Sequence, residues 1–160
     1  MTAVVRARYD DPVHAAALID LLDHYARDPA GGGEPLSDFA RANLVDALAA
    51  RPFLFSVLAF DGIAQVGLVN AIEGFSTFAC KPLVNVHDVV VAASHRGQGI
   101  AARLFAEVEA VARERGACKL TLEVLDGNAS ARALYQRLGF TAYQLDPAMG
   151  HAQFQHKWLE

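Results

Sequence analysis

Val84-Asn85-Val86-His87-Asp88-Val89-Val90-Val91, followed closely by Arg96-Gly97-Gln98-Gly99-Ile100-Ala101, is where the fold of this chain is decided. An apolar run leads into a glycine loop, and the loop leads into an amphipathic stretch from Ile100 to Arg115. Ile100, Leu104, Val108, Val111 and Ala112 recur at helical spacing. Strand, glycine turn and helix in that order build a cradle for phosphate. Glycine lets the backbone turn sharply and approach a ligand closely. The first N–H groups of the helix then point at the ligand, where the helix dipole favours negative charge. Other readings of a lone glycine loop exist. A P-loop needs a lysine after its last glycine, and none follows Gly99; a dinucleotide fingerprint needs a third glycine where Ala102 stands, although Ala is sometimes accepted there. A tight strand-to-helix connection with no ligand is the remaining alternative.

Working outward, Ala3 to Arg8 reads as a short strand, and Pro12 suits the first turn of a helix running to about Arg27. Asp28 to Pro35, with three consecutive glycines, reads as the most flexible segment. Ser37 is placed to cap a second helix carrying Phe39, Leu44, Val45 and Leu48 on its apolar side. Phe53 to Phe60 and Ile63 to Glu73 form a hairpin about Asp61-Gly62. Phe75 to Pro82 is a loop with two exposed aromatics. Beyond the glycine loop, Leu120, Leu122 and Val124 make a strand. Asp126-Gly127-Asn128 turns into a helix that Gly139 stops, and Phe140 to Leu145 and Phe154 to Leu159 close the chain as strands. The order is βααββ-β-α-β-α-β-β, one mixed α/β domain over residues 1–160. The unit from Val84 to Val124 is expected to be a parallel crossover.

Composition narrows the function. The chain has 160 residues, 53% hydrophobic and 20% charged, with a formal charge of −4, which argues against a nucleic-acid surface. No apolar run reaches the roughly 18 residues that cross a bilayer, and the first residues have no signal-peptide layout. The two cysteines read as reduced thiols. The six histidines are scattered, so no metal site is expected. These readings point to a cytoplasmic protein.

Val89 and Arg96-Gly97-Gln98-Gly99-Ile100-Ala101 resemble the acyl-CoA-binding motif of the GNAT superfamily of N-acetyltransferases. Leu122-Glu123-Val124-Leu125-Asp126-Gly127-Asn128, Ala131, Leu134-Tyr135 and Leu138-Gly139-Phe140 resemble the superfamily's second motif, at the spacing its members show. The strand around His87 and the aromatics before it are most similar to the diamine and thialysine acetyltransferase branch. The resemblance implies a GNAT fold with acetyl-CoA as cosubstrate and its pyrophosphate over Arg96, Gly97, Gln98, Gly99, Ile100, Ala101 and Ala102. It implies that pantetheine pairs with the backbone of Val89 and Val91 as an added strand would. By the same resemblance Asn128 contacts pantetheine and Tyr135 gives a proton to the departing thiolate. A thiol titrates near 8.5 and a phenol near 10, roughly, so that transfer is slightly uphill.

An amine must lose a proton before it attacks a thioester. A free imidazole titrates near 6.5, roughly, so His87 is a candidate base, and deprotonation through water is the alternative. His87 stands where the polyamine-acetylating branch carries Glu, which leaves polyamine specificity open. Strand alternation would turn Asp88 to the face opposite His87, and Glu73 and Glu123 lie on neighbouring strands. Phe75, Phe78 and the Gly31–Gly33 loop are expected to border the acceptor pocket. Cys118 has no base beside it that would make it an acetyl carrier. The expected activity is therefore acetyl transfer to a primary amine of a small or amino-acid-like acceptor, by direct attack in a ternary complex. A non-catalytic acyl-CoA sensor and a protein or peptide N-acetyltransferase are the competing readings. A homodimer through the C-terminal strands, where Phe154 and Trp158 offer apolar area, rests on the family resemblance.

Overall fold

The protein is described by a computed structural model that covers residues 1–159. Its elements are β1 (Thr2–Arg6), α1 (Pro12–Arg27), α2 (Asp38–Ala49), β2 (Leu54–Asp61), β3 (Ala64–Ser76), β4 (Lys81–Val91), α3 (Ile100–Glu114), β5 (Leu120–Leu122) and α4 (Ala129–Arg137). The chain divides into two compact units, Met1–Leu122 and Glu123–Glu160.

The first unit is a mixed α/β structure on a five-stranded sheet in the order β1-β2-β3-β4-β5. The first four strands run antiparallel, and β5 lies parallel to β4, as the crossover through α3 requires. Ala17, Leu18 and Leu21 of α1 and Leu48 of α2 pack with Leu58, Leu68 and Val90 on one face. Helix α3 covers the other face with Ile100, Leu104, Phe105, Val108 and Val111 buried. Close approach there needs Gly67, because a Cβ at that position would stand 2.9 Å from Leu104 Cδ1 and 3.3 Å from Ile100 Cγ2.

Several local expectations hold. Asp11 caps α1, with Pro12 in its first turn, and Ser37 Oγ accepts the Ala40 N–H at the start of α2. The expected β2–β3 hairpin forms, but its turn lies one residue later than Asp61-Gly62: Asp61 pairs with Ala64, leaving Gly62-Ile63 as the turn, and Gly62 has φ 60°, the positive angle a two-residue hairpin turn demands.

Others need correction. The loop expected from Phe75 to Pro82 shrinks to residues 77–80, because Ser76 pairs with Lys81 and both strands run on. The glycine-rich segment after α1 is built rather than loose. Asp28 Oδ1 accepts the Ala30 N–H over a 3-10 turn at Pro29–Gly31, and Gly33 N–H donates to Ala26 O at 2.9 Å. β5 ends at Leu122, short of Val124.

In the second unit, Asn128 caps α4 through Oδ1, which accepts the Ala131 N–H at 3.2 Å. Gly139 follows the helix with φ 88°. The strands expected over residues 140–145 and 154–159 do not form among the described residues. A strand exists only through a neighbouring ladder. The backbone bonds of this stretch include the turn bond from Met149 N–H to Asp146 O at 2.9 Å and a longer reach from Ala152 N–H to Tyr143 O at 3.2 Å.

Candidate active site

Strand β4 acquires two unlike edges. β5 accompanies it only at Val84, Asn85 and Val86; from residue 87 onward the outer edge has no strand beside it among the described residues. Which groups face that edge follows from one bond. Ala92 N–H donates to Val66 O on β3, so Val90 also faces β3, and Val89 and Val91 turn their N–H and C=O groups outward. The Val91 carbonyl confirms this direction by accepting Arg96 Nε at 3.2 Å. The two residues that the sequence resemblance selects thus present the open edge.

The glycine loop continues from there. Gly97 and Gly99 have φ 77° and 76°, and a Cβ on either would meet no protein atom within 4 Å. It is the left-handed backbone, not crowding, that calls for glycine. Gly99 caps α3 with no side-chain bond to the free N–H groups. Ile100 is buried beneath, whereas Arg96, Gly97, Gln98 and Gly99 are exposed. An uncapped helix start behind an exposed turn fits an anionic group. Arg96 is also tied to the segment after α1, with Nη2 3.7 Å from Asp28 Oδ2, and Gln98 Nε2 donates to Ser94 O at 3.3 Å.

His87 occupies a break in the ladder. Val86 pairs with Ala71 and Asp88 with Asn70, so His87 is an extra residue in β4, a β-bulge. Its side chain is exposed. The bulge overturns the strict alternation expected here. Val84, Val86, Val89 and Val91 fall in the row facing α3, while Asp88 joins the row of Ser56, Asn70 and Val90 that faces α1 and α2.

That row holds a polar chain which sequence reasoning missed. Ser56 and Asn70 are 2% and 9% exposed. Ser56 Oγ donates to Asn70 Oδ1 at 2.6 Å, Asn70 Nδ2 donates to Asp88 Oδ2 at 3.0 Å, and Tyr9 Oη lies 3.0 Å from Ser56 Oγ. Because the Ser56 proton points at Asn70, Tyr9 must be the donor to Ser56. Burial pushes the Tyr9 phenol above its ordinary range, which keeps that proton in place. The signal was legible: a serine and an asparagine inside apolar strands need buried partners. Glu73, the other carboxylate on a neighbouring strand, accepts Arg115 Nη1 at 2.9 Å.

In the second unit, Asn128 Oδ1 is engaged by Ala131 N–H and by Ser130 Oγ at 3.2 Å, so its Nδ2 is the group it can offer a ligand. The Tyr135 ring meets Phe140 edge-on, with centroids 5.9 Å apart. Phe75 and Phe78 are exposed, and no group of three His, Cys, Asp or Glu among the described residues could hold a metal.

An open strand edge, left-handed glycines and an uncapped helix start thus follow one another on a mixed α/β sheet. The model of the acetyltransferase (GNAT) family matches residues 15–140, and the chain belongs to that family. It is 39% identical over 87 residues to streptothricin acetyltransferase of Streptomyces lavendulae, covering 52% of this chain and 46% of the relative. It is 39% identical over 56 residues to thialysine N-epsilon-acetyltransferase of Bos taurus, covering 35% of this chain and 33% of the relative. The matches thus span half or less of these relatives' lengths. A ribosomal-protein-alanine N-acetyltransferase structure from Brucella melitensis biovar Abortus 2308 shares the fold, with a TM-score of 0.77 at 19% identity over 99% of this chain and 100% of that one.

Proposed function

We propose that this chain is an acetyl-CoA-dependent N-acetyltransferase whose acceptor is a primary amine of a small or amino-acid-like molecule. The observation that carries the reading is the outward-facing edge at Val89 and Val91, leading directly into the uncapped start of α3. Val89 and Val91 bind pantetheine as a neighbouring strand would be bound. The N–H groups from Arg96 to Ala102 hold the pyrophosphate. Acetyl-CoA supplies an activated acyl group as a thioester. A backbone N–H on the Val89 strand polarises its carbonyl, and the unladdered bulge at His87 supports that role. On the family resemblance, Asn128 contributes its amide to cofactor binding and Tyr135 protonates the leaving thiolate. His87, at the bulge, is a candidate acceptor for the amine's proton, with water as the alternative.

Similarity to a streptothricin acetyltransferase and a thialysine N-epsilon-acetyltransferase supports a small acceptor over a protein. A cytoplasmic location and a homodimer through the exposed Phe154 and Trp158 belong to the same reading. Titration calorimetry with acetyl-CoA, followed by thiol release across a panel of amines, tests it. Binding with amine-dependent thiol release is expected. Binding without release from any amine or peptide would leave an acyl-CoA sensor.

A further inference from the structure

We propose that Ser56 and Asn70 are positioning residues: their hydrogen bonds onto Asp88 fix the extra residue of β4 at His87 and so aim the Val89 N–H. The inference rests on the acetyltransferase reading above, in which that strand polarises the thioester carbonyl. It gives a role to two buried side chains that the reaction as described leaves unused.

A bulge has more than one place to sit. Val86 pairs with Ala71 and Val89 with Val69, so two residues of β4, His87 and Asp88, face the single residue Asn70. Either could stand opposite Asn70 while the other is left over. The pairs on both sides, and the packing of Val86 and Val90, are the same in the two arrangements, so apolar burial does not choose between them. What differs is the peptide that follows. The Val89 N–H belongs to the peptide joining residues 88 and 89. With His87 left over, that peptide lies beyond the bulge, in regular ladder. With Asp88 left over, it lies inside the bulge, where the strand bends and twists, and its N–H is re-aimed.

Side chains make the choice. Ser56 stands directly opposite Asn70 across β2 and β3, and Asn70 directly opposite Asp88 across β3 and β4. Ser56 Oγ donates to Asn70 Oδ1 at 2.6 Å, which turns the amide nitrogen toward β4, where it donates to Asp88 Oδ2 at 3.0 Å. Tyr9 Oη, 3.0 Å from Ser56 Oγ, holds the far end. With His87 opposite instead, Asn70 would exchange a carboxylate for an imidazole and lose a charge-assisted bond, roughly twice as strong as a neutral one.

Stability alone gives no reason for this ladder. Ser56 and Asn70 sit in rows otherwise filled by Leu54, Leu58, Leu68 and Ile72. Replacing both partners of a buried hydrogen bond by apolar groups of the same shape is nearly neutral. What buried polar partners add is a single register, because only one alignment satisfies them.

The double variant Ser56→Ala with Asn70→Leu tests this, since it removes both buried polar groups together and should keep a Tm close to that of wild type. The first readout is register, by NMR of the protein alone. Cross-strand contacts between residues 70 and 88 should give way in part to contacts between 70 and 87, while those of Val86 with Ala71 and Val89 with Val69 persist. The second is kinetic, with the amine that wild type acetylates fastest. There kcat should fall about 10-fold, part of the roughly 10²–10³-fold loss that follows removal of an oxyanion donor. CoA affinity by calorimetry should stay unchanged, because Val91 and the glycine loop are untouched. Ser56→Ala alone should show the same change of contacts to a smaller extent, and Ser56→Thr, which keeps the hydroxyl, should restore the wild-type pattern. Residue 70 facing only residue 88 in the folded double variant overturns the proposal, whatever the rate, and so does an unchanged kcat once the register has moved. If the double variant does not fold, the Ser56 pair decides: wild-type contacts in Ser56→Ala overturn it. Absence of thiol release by wild type with every amine would instead remove the transferase reading, and the contacts of residue 70 would still decide whether the ladder fixes the bulge.

Discussion

Asp23 is 7% exposed and accepts three donors from three parts of the chain: Arg27 Nε at 2.9 Å, Arg41 Nη2 at 2.5 Å and Leu36 N–H at 2.9 Å. It ties α1, α2 and the segment between them, the segment expected to border the acceptor. The Arg27 hydrogen bond holds its carboxyl below the ordinary 3.8, burial opposes this, and the Leu36 N–H assists. A folded-state pKa below the unfolded one contributes stability that is present above the unfolded value and lost as pH falls through the folded one. Limited proteolysis should therefore cut residues 28–36 faster as pH drops below about 4, and Asp23→Asn should show the faster cutting already at pH 7. Equal cutting of both proteins at pH 7 would show that the clamp does not order this segment. Tyr135 carries the second residue-scale prediction. Tyr135→Phe should lower kcat by roughly 10²-fold while leaving acetyl-CoA affinity within twofold, roughly, by calorimetry. Undiminished turnover would take the phenol out of the reaction.

At the scale of elements, α3 is seated on the sheet by the absence of a side chain. Gly67→Val would drive methyl groups into Leu104 and Ile100, and overpacking of this kind costs about 1–3 kcal/mol. A urea titration should show a lower midpoint with an unchanged slope; an unchanged midpoint would mean that α3 lifts without penalty. Strand β4 shows how one inserted residue reassigns the faces of a strand. The bulge at His87 moves Asp88 into the row of Asn70 and Ser56, so a carboxylate that alternation assigns elsewhere meets a buried amide. The turn after α1 is equally constrained. A Cβ at Gly31 would lie 2.0 Å from Tyr25 O, a backbone atom that cannot step aside.

Across the whole molecule, the described hydrogen bonds divide the chain into protected and unprotected regions. Amides of β2 and β3, and those of β4 that face β3, lie inside a five-stranded sheet over a buried core, whereas residues 140–159 join no strand ladder among the described residues and are mostly exposed. Hydrogen exchange should be slow in the first set and fast in the second. Strong protection of residues 154–159 at high protein concentration would instead restore the expected C-terminal strand as a dimer element. Acetyl-CoA at 100-fold its dissociation constant should stabilise the fold by about 2.7 kcal/mol, read as a concentration-dependent rise in Tm.

Much of this was legible along the chain. The strand, glycine loop and helix from residue 84 to 115, Pro12 in the first turn of α1, the cap at Ser37, the hairpin near Gly62 and the helix between Asn128 and Gly139 depend on residues a few positions apart, where φ preferences, capping and periodicity act directly. Those local rules determined the class of fold and the strand, glycine loop and helix start that the cofactor reading rests on. What only the tertiary structure decided lies between strands: the register that leaves His87 unpaired, the row joining Tyr9, Ser56, Asn70 and Asp88, and the outward edge of Val89 and Val91. Register is a property of two strands at once, and a one-residue bulge reassigns every face beyond it, so no window along a single strand contains that information.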